Sequence, residues 1–224
     1  MKHIAKSLVV AGAMVVAGNA TADWFDDVKP YIGAEYVQAW SGKKHNLPKT
    51  FPGGSAFFGI KFTECFAVEL GGDWFSRKNR TFTGQGSVNG ATPVFPLGHS
   101  MKSHVHRNGW HADLVGFLPI YDDCLELLGT IGYGYVQGKV SYTDATNSFY
   151  NQSAKTKGNS VLRLGIGLDG MVTEYIGLRA KVGWQNTGSL HLKNWPTPPA
   201  GYQSPSKKPF KDTITLSVGA FVKW

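Results

Sequence analysis

Ionisable residues recur at every second position along several stretches of this chain. Glu35, Glu69, Asp73, Asp113, Glu126 and Asp169 each sit in an alternating run, as do Lys61, Arg163, Arg179, Lys181 and Lys223. A period of two puts such residues on one face of an extended strand, so six acids and five bases would share the interior that the strands enclose. Charges withdrawn from bulk water must pair, because an unpaired buried ion carries a heavy desolvation cost. The set is nearly neutral, and it permits two readings: a polar core filled by ion pairs, or a gated ion pathway.

Other residue types could do chemistry of a different kind. His99-Ser100 and Ser189-x-His191 place a hydroxyl near an imidazole, but both lie in or beside segments rich in Gly, Pro and Ser, and such proximity arises often by chance. They do not make the chain an enzyme without the geometry of a site. His104-x-His106 puts two imidazoles on one strand face. With no third ligand in view they read as solvated rim histidines rather than a metal site, and no cofactor motif is present. Cys65 and Cys124 would sit at the starts of two strands separated by a third, about 10 Å apart, against the 4.4–6.8 Å or so that bridged Cα atoms need. An oxidising compartment permits the bridge, provided that the intervening turn folds across the middle strand.

The elements that must position these groups are strands that meet hydrocarbon on one side. In the last eleven residues Ile214, Leu216, Val218, Ala220, Val222 and Trp224 share one face, and Thr215, Ser217, Gly219 and Lys223 the other. That is the pattern of a barrel wall, lipid outside and polar lumen inside. Seven more segments repeat it, at about 30–41, 55–63, 66–77, 105–118, 124–140, 159–172 and 175–187. Their outward residues include Tyr36, Phe58, Leu70, Leu114, Ile131, Leu164 and Val182; Gly33, Gly71, His111, Gly132 and Gly165 point inward with the charges. Links at 63–65, 119–123 and 173–174 are short, whereas 42–54, 78–104, 141–158 and 188–211 are long and rich in turn formers. Trp40, Trp74, Tyr133, Tyr135 and Trp184 mark an outer aromatic girdle, Phe66 and Trp224 an inner one. The fold class is all-β: an eight-stranded, antiparallel, up-and-down transmembrane barrel.

The amino terminus fits export. Lys2 and Lys6 precede an apolar run from Leu8 to Gly18, and Ala20-Thr21-Ala22 is a small-x-small cleavage site. The run is too short to span as a helix, which takes about 20 apolar residues. Residues 1–22 are thus expected to be a signal peptide and 23–224 the barrel domain. Losing Lys2 and Lys6 lowers the formal charge from +8 to +6. Mean hydropathy is only −0.18, because a barrel carries its apolar residues at every second position.

Glu69-Leu-Gly-Gly-Asp-Trp74 and Leu178-Arg-Ala-Lys-Val-Gly-Trp-Gln-Asn186 resemble strands of the membrane domain of bacterial outer membrane protein A, and the short outer membrane protein X type is an equally good match in pattern. The resemblance implies a Gram-negative outer-membrane location and a lumenal ion pair between Glu69 and Arg179, with Asp169 in the same network. Lys61, Arg163, Asp113, Glu35 and Lys181 fill out the lumenal set. His111 and Asp113 stand where the family's lumenal lysine would be. The closing aromatic resembles the family's assembly signal, here Gly219, Val222 and Trp224, which implies the barrel assembly machinery as a partner. The His-x-Ser-Asn signature of the lipid A deacylase barrels is missing.

The long loops and strand ends are basic, with Lys43, Lys44, Lys49, Lys78, Arg80, Lys102, Arg107, Lys155, Lys157, Lys193, Lys207, Lys208 and Lys211 against few acids such as Asp144. Partners expected from this charge are the bilayer with its lipopolysaccharide, whose phosphates the loops would neutralise, and polyanionic host-surface ligands. Nucleic acid is not expected, since the charge sits above a membrane wall rather than on a groove-reading element. The function read from sequence is a structural or adhesin-like surface role through the basic loops Lys43, Lys44, Lys207, Lys208 and Lys211, with a narrow gated pore as the alternative.

Overall fold

The computed structural model describes residues 28–41, 49–83, 98–121, 124–144, 151–156, 158–187, 192–193 and 212–224. The expected signal peptide lies outside them. Among the described residues ten strands form: β1 (Lys29–Ser41), β2 (Thr50–Lys61), β3 (Phe66–Thr83), β4 (Ser100–Tyr121), β5 (Leu125–Asp144), β6 (Gln152–Thr156), β7 (Asn159–Met171), β8 (Ile176–Gln185), β9 (Leu192–Lys193) and β10 (Thr213–Lys223). Eight of them, β1 to β5 with β7, β8 and β10, pair antiparallel with their neighbours, and β1–β10 and β4–β5 complete the ring. Closure leaves the wall without a free edge.

Strand tilt follows from the register. From Trp40 the partners run through Ile214, Trp184, Leu164, Ile131, Leu114, Val68 and Ile60 and return to β1 at Pro30, ten residues lower. A stagger of ten residues round eight strands, at about 3.3 Å per residue and 4.8 Å per strand, tilts the strands by roughly 40°. The outward aromatics then fall in two bands around the wall. Trp74 and Phe66, Trp184 and Tyr175, and Trp110 and Tyr121 are separated by about 20–28 Å of height, the span of an apolar belt. Trp74, Tyr121, Tyr175 and Trp224 are all more than half exposed, as lipid-facing rings must be in the protein alone.

The face assignments read from the sequence hold on every strand. Ile32, Phe58, Leu70, Leu114, Ile131, Ile166, Leu178 and Val218 face out, and Glu35, Glu69, Asp113, Asp169 and Arg179 are buried within. Two periplasmic turns are built alike. Thr63 Oγ1 accepts from the Cys65 and Phe66 amides, and Thr173 Oγ1 from those of Tyr175 and Ile176, so a threonine hydroxyl satisfies the backbone groups that the turn leaves unpaired.

Two expectations need correction. The strands outrun their predicted ends: β3 reaches Thr83 and β4 begins at Ser100, while β6 and β9 lie in stretches that the sequence marks as loops. The lumen, moreover, is not polar throughout. Val37, Ala39, Phe51, Phe75, Met101, Val105, Val136, Val140, Tyr142 and Val161 form an apolar cluster in its outer half. Tyr31, Phe57, Ala67, Val115, Phe117, Leu128 and Phe221 form a second at the inner end. Aqueous contrast disappears inside a bore narrow enough for side chains to fill, so apolar inward residues pack as in any core.

Candidate functional site: the lumenal charge network

The inner apolar cluster encloses a cation. Tyr31, Phe57 and Phe221 lie over the small residues Gly59, Gly33 and Gly177 of neighbouring strands, where any side chain would collide with the rings. Glycine at those positions makes the ring positions possible. The three rings surround the Arg179 guanidinium at 5.8, 4.7 and 5.5 Å from their centroids, within cation–π range. Arg179 then reaches Glu69 Oε1 at 2.5 Å and donates two bonds of 2.7 Å to Asp169. Tyr31 donates to the same Glu69 oxygen at 2.7 Å. Strands β3 and β8 stand four places apart in the ring of eight, so the Glu69–Arg179 contact is a chord across the full diameter.

A second layer lies further out. Arg163 Nη1 meets Asp73 Oδ2 at 2.5 Å, and its Nε lies 3.5 Å from Asp113 Oδ1. His111 sits between the same two acids, at 3.5 Å from Asp73 and 3.0 Å from Asp113. Lys181 approaches Glu35 at 3.5 Å. Gly71 and Gly132 leave the space that the His111 ring and the Asp113 carboxylate occupy. Below both layers Lys61 binds Glu126 at 2.8 Å and lies 4.4 Å over the Phe117 ring. A vestibule of about 240 Å³ opens there on the periplasmic side, lined by Lys29, Lys61, Glu126 and Lys223 and ending on Arg179.

Of the eleven charges read as lumenal, Glu69, Arg179, Asp169, Lys61, Arg163, Asp113, Glu35 and Lys181, with Asp73 and Glu126, make contacts inside it, and Lys223 lines the vestibule. Arg107, placed by its sequence position among the loop cations, is corrected by the structure: it is 2% exposed, bonded to Gln185 and, at 3.1 Å, to Thr213 Oγ1, and stacked 5.2 Å over Phe75. Its inward phase, two and four residues from Val105 and His111, is the signal that could have found it. Gly219 faces inward opposite Glu35 and Arg179, and a side chain there would strike the Ala34 carbonyl. Val222 and Trp224 face lipid.

The other candidates separate. Cys65 and Cys124 are exposed free thiols, not joined in a bridge. His99 binds Asp144 at 2.7 Å on the lumenal side, whereas Ser100 starts β4 opposite Thr83 on the outer side; successive residues point to opposite faces, which keeps this hydroxyl from its imidazole. Ser189 and His191 lie outside the described residues. His104 is hydrogen-bonded to Asn79 at 2.5 Å and to Thr143 at 3.2 Å, and His106 is exposed two residues on. Lys43, Lys44, Lys207, Lys208 and Lys211 are outside the described residues.

A closed ring with a charged, filled bore and two lipid-facing aromatic bands defines an outer-membrane barrel. Residues 8–220 match the family model described as outer membrane protein beta-barrel domain, and the chain belongs to that family. Among solved structures it is similar to the attachment invasion locus protein Ail of Yersinia pestis, at 16% identity over 88% of this chain and 99% of that one with a TM-score of 0.51. A major outer membrane protein of Thermus thermophilus matches at 13% identity, 88% and 99% coverage and a TM-score of 0.54. The outer membrane protein OprG of Pseudomonas aeruginosa matches at 11%, 88% and 96%, and 0.53. At such identities the structures share the fold. No curated protein matches the sequence. The protein is located in the outer membrane.

Proposed function

We propose that this barrel is a non-catalytic surface protein that acts through its basic extracellular loops on polyanions, with its lumen plugged rather than conducting. The observation that carries this reading is the diametral Glu69–Arg179–Asp169 contact, whose side chains are at most 5% exposed. A bore crossed at that level leaves the outer surface as the place where the protein meets other molecules. Among structural relatives, Ail was solved with the heparin analogue sucrose octasulfate, which supports asking the same of this chain. Lys43, Lys44, Lys207, Lys208 and Lys211 supply the charge. Replacing Lys207, Lys208 and Lys211 with Gln should weaken binding to heparin and flatten its salt dependence, because attraction between exposed charges is screened over about 8–10 Å at physiological ionic strength. A parent protein that does not bind heparin at low salt would overturn the proposal.

A further inference from the structure

Beyond the aromatic band, β3, β4, β5, β6 and β9 continue as a sheet, and its outward face carries charge of one sign. Register places His106 opposite Lys139, Lys139 opposite Lys155, and Lys155 opposite Lys193. The irregularity between Phe75 and Lys78 sets Arg77 beside His106. Arg77, Lys102, His106, Lys139 and Lys155 are all exposed. Every acid of these five strands faces the other way: Glu69, Asp73 and Asp113 are buried in the lumen, Asp144 lies on the inward side against Met101, and Glu126 is bonded to Lys61.

Like charges directly opposite each other in a sheet are destabilising. Their field is registered by the His104 imidazole, which burial and then the cations Arg77 and Lys102 hold below the ordinary histidine value. A row of this kind gains when an anion lies along it. Height decides which anion. His106 lies four residues above Trp110, about 10 Å at the strand tilt, and each step across to Lys139 and Lys155 climbs about 3 Å more. A phospholipid headgroup occupies only about 5–8 Å beyond the hydrocarbon. The row also faces sideways along the membrane, toward the neighbouring lipid rather than toward the medium.

We propose that Arg77, His106, Lys139 and Lys155 form a lateral site for the phosphorylated sugar headgroup of outer-leaflet lipopolysaccharide. The test uses the full refolded protein in neutral detergent and reads the temperature at which the folded gel band converts to the unfolded one. Phosphorylated lipopolysaccharide should raise that midpoint by about 4 °C or more, as a ligand of the native state does, and dephosphorylated lipopolysaccharide should not. The double substitution Lys139→Gln/Lys155→Gln should lose most of the shift while melting no lower than the parent without lipopolysaccharide. Lys139→Arg/Lys155→Arg should keep the shift and serves should the glutamine variant fail to refold. An equal shift with dephosphorylated lipid, or a full shift in the glutamine variant, overturns the site. An equal shift with a soluble sulfated oligosaccharide overturns it in favour of a solution-facing polyanion surface.

Discussion

At Arg179 one cation is shared by two carboxylates, and this changes which substitution matters most. Replacing Glu69 with Gln leaves Arg179 its two bonds to Asp169. Replacing Arg179 with Met leaves Glu69 and Asp169 buried with no countercharge, the situation that costs roughly 3–5 kcal/mol when one partner of a buried pair is removed. Arg179→Met should therefore lower the urea midpoint of unfolding far more than Glu69→Gln. Equal losses would mean that Asp169 is not the main partner. The resemblance points to Glu69, Asp169 and Arg179 together, but residue types alone do not reveal that both bonds of the guanidinium fork go to Asp169.

His104 offers a pH test outside the membrane-spanning part. Its value is lowered from the ordinary 6.5 by burial first and by Arg77 and Lys102 next, so protonation is penalised in the folded state. The stability it contributes is complete above pH 6.5 and drains away as the pH falls through the depressed value. Unfolding midpoints of the parent should begin to drop as the pH falls below the ordinary histidine value of about 6.5, and His104→Gln should flatten part of that drop. A parallel fall in both proteins would assign the acid sensitivity to other groups.

Among the elements, legibility follows the contrast between lipid and lumen. Where one face of a strand meets hydrocarbon, as in β7 with Leu162, Leu164, Ile166 and Leu168 against Arg163 and Asp169, the alternation is clean and the sequence assigns the faces without error. Above the aromatic band both faces carry polar groups. There the alternation of Lys102, His104 and His106 with Met101, Ser103 and Val105 mixes polar residues into both sides, and the sequence reads as loop where the structure has strand. Arg107, just inside the segment read as a strand at 105–118, is grouped with the loop and strand-end cations because of the same mixed pattern. The β10 strand belongs to the legible class, and its exposed terminal ring carries a prediction. Replacing Trp224 with Asp should leave export intact but hold the chain in the periplasm, because the outward aromatic at the closing β1–β10 seam is what the assembly machinery would recognise; fractionation that finds the variant in the outer membrane at parental levels contradicts this.

For the whole molecule, the number of closures in series decides how the barrel behaves as a conduit. Arg179 with its rings and acids closes the inner end, Arg163 with Asp73 and Asp113 crosses the middle, and Arg107 with Phe75, Gln185 and Thr213 caps an apolar outer segment. An ion would have to shed its hydration to pass the outer segment even after the inner pair had parted. If the lumen is plugged as proposed, breaking the family-like pair alone should not open this barrel. Single-channel recordings of refolded protein in a planar bilayer should show essentially no ion conductance for the parent, and Glu69→Gln should stay closed. A variant that also replaces Arg163 with Gln and thins the outer cluster by Val105→Ala and Val140→Ala should begin to conduct if it still migrates as the folded, heat-modifiable form. Steady conductance from Glu69→Gln alone would show that the inner chord is the sole barrier and that the middle and outer layers are permeable, which would favour the gated-pore function over the plugged surface protein.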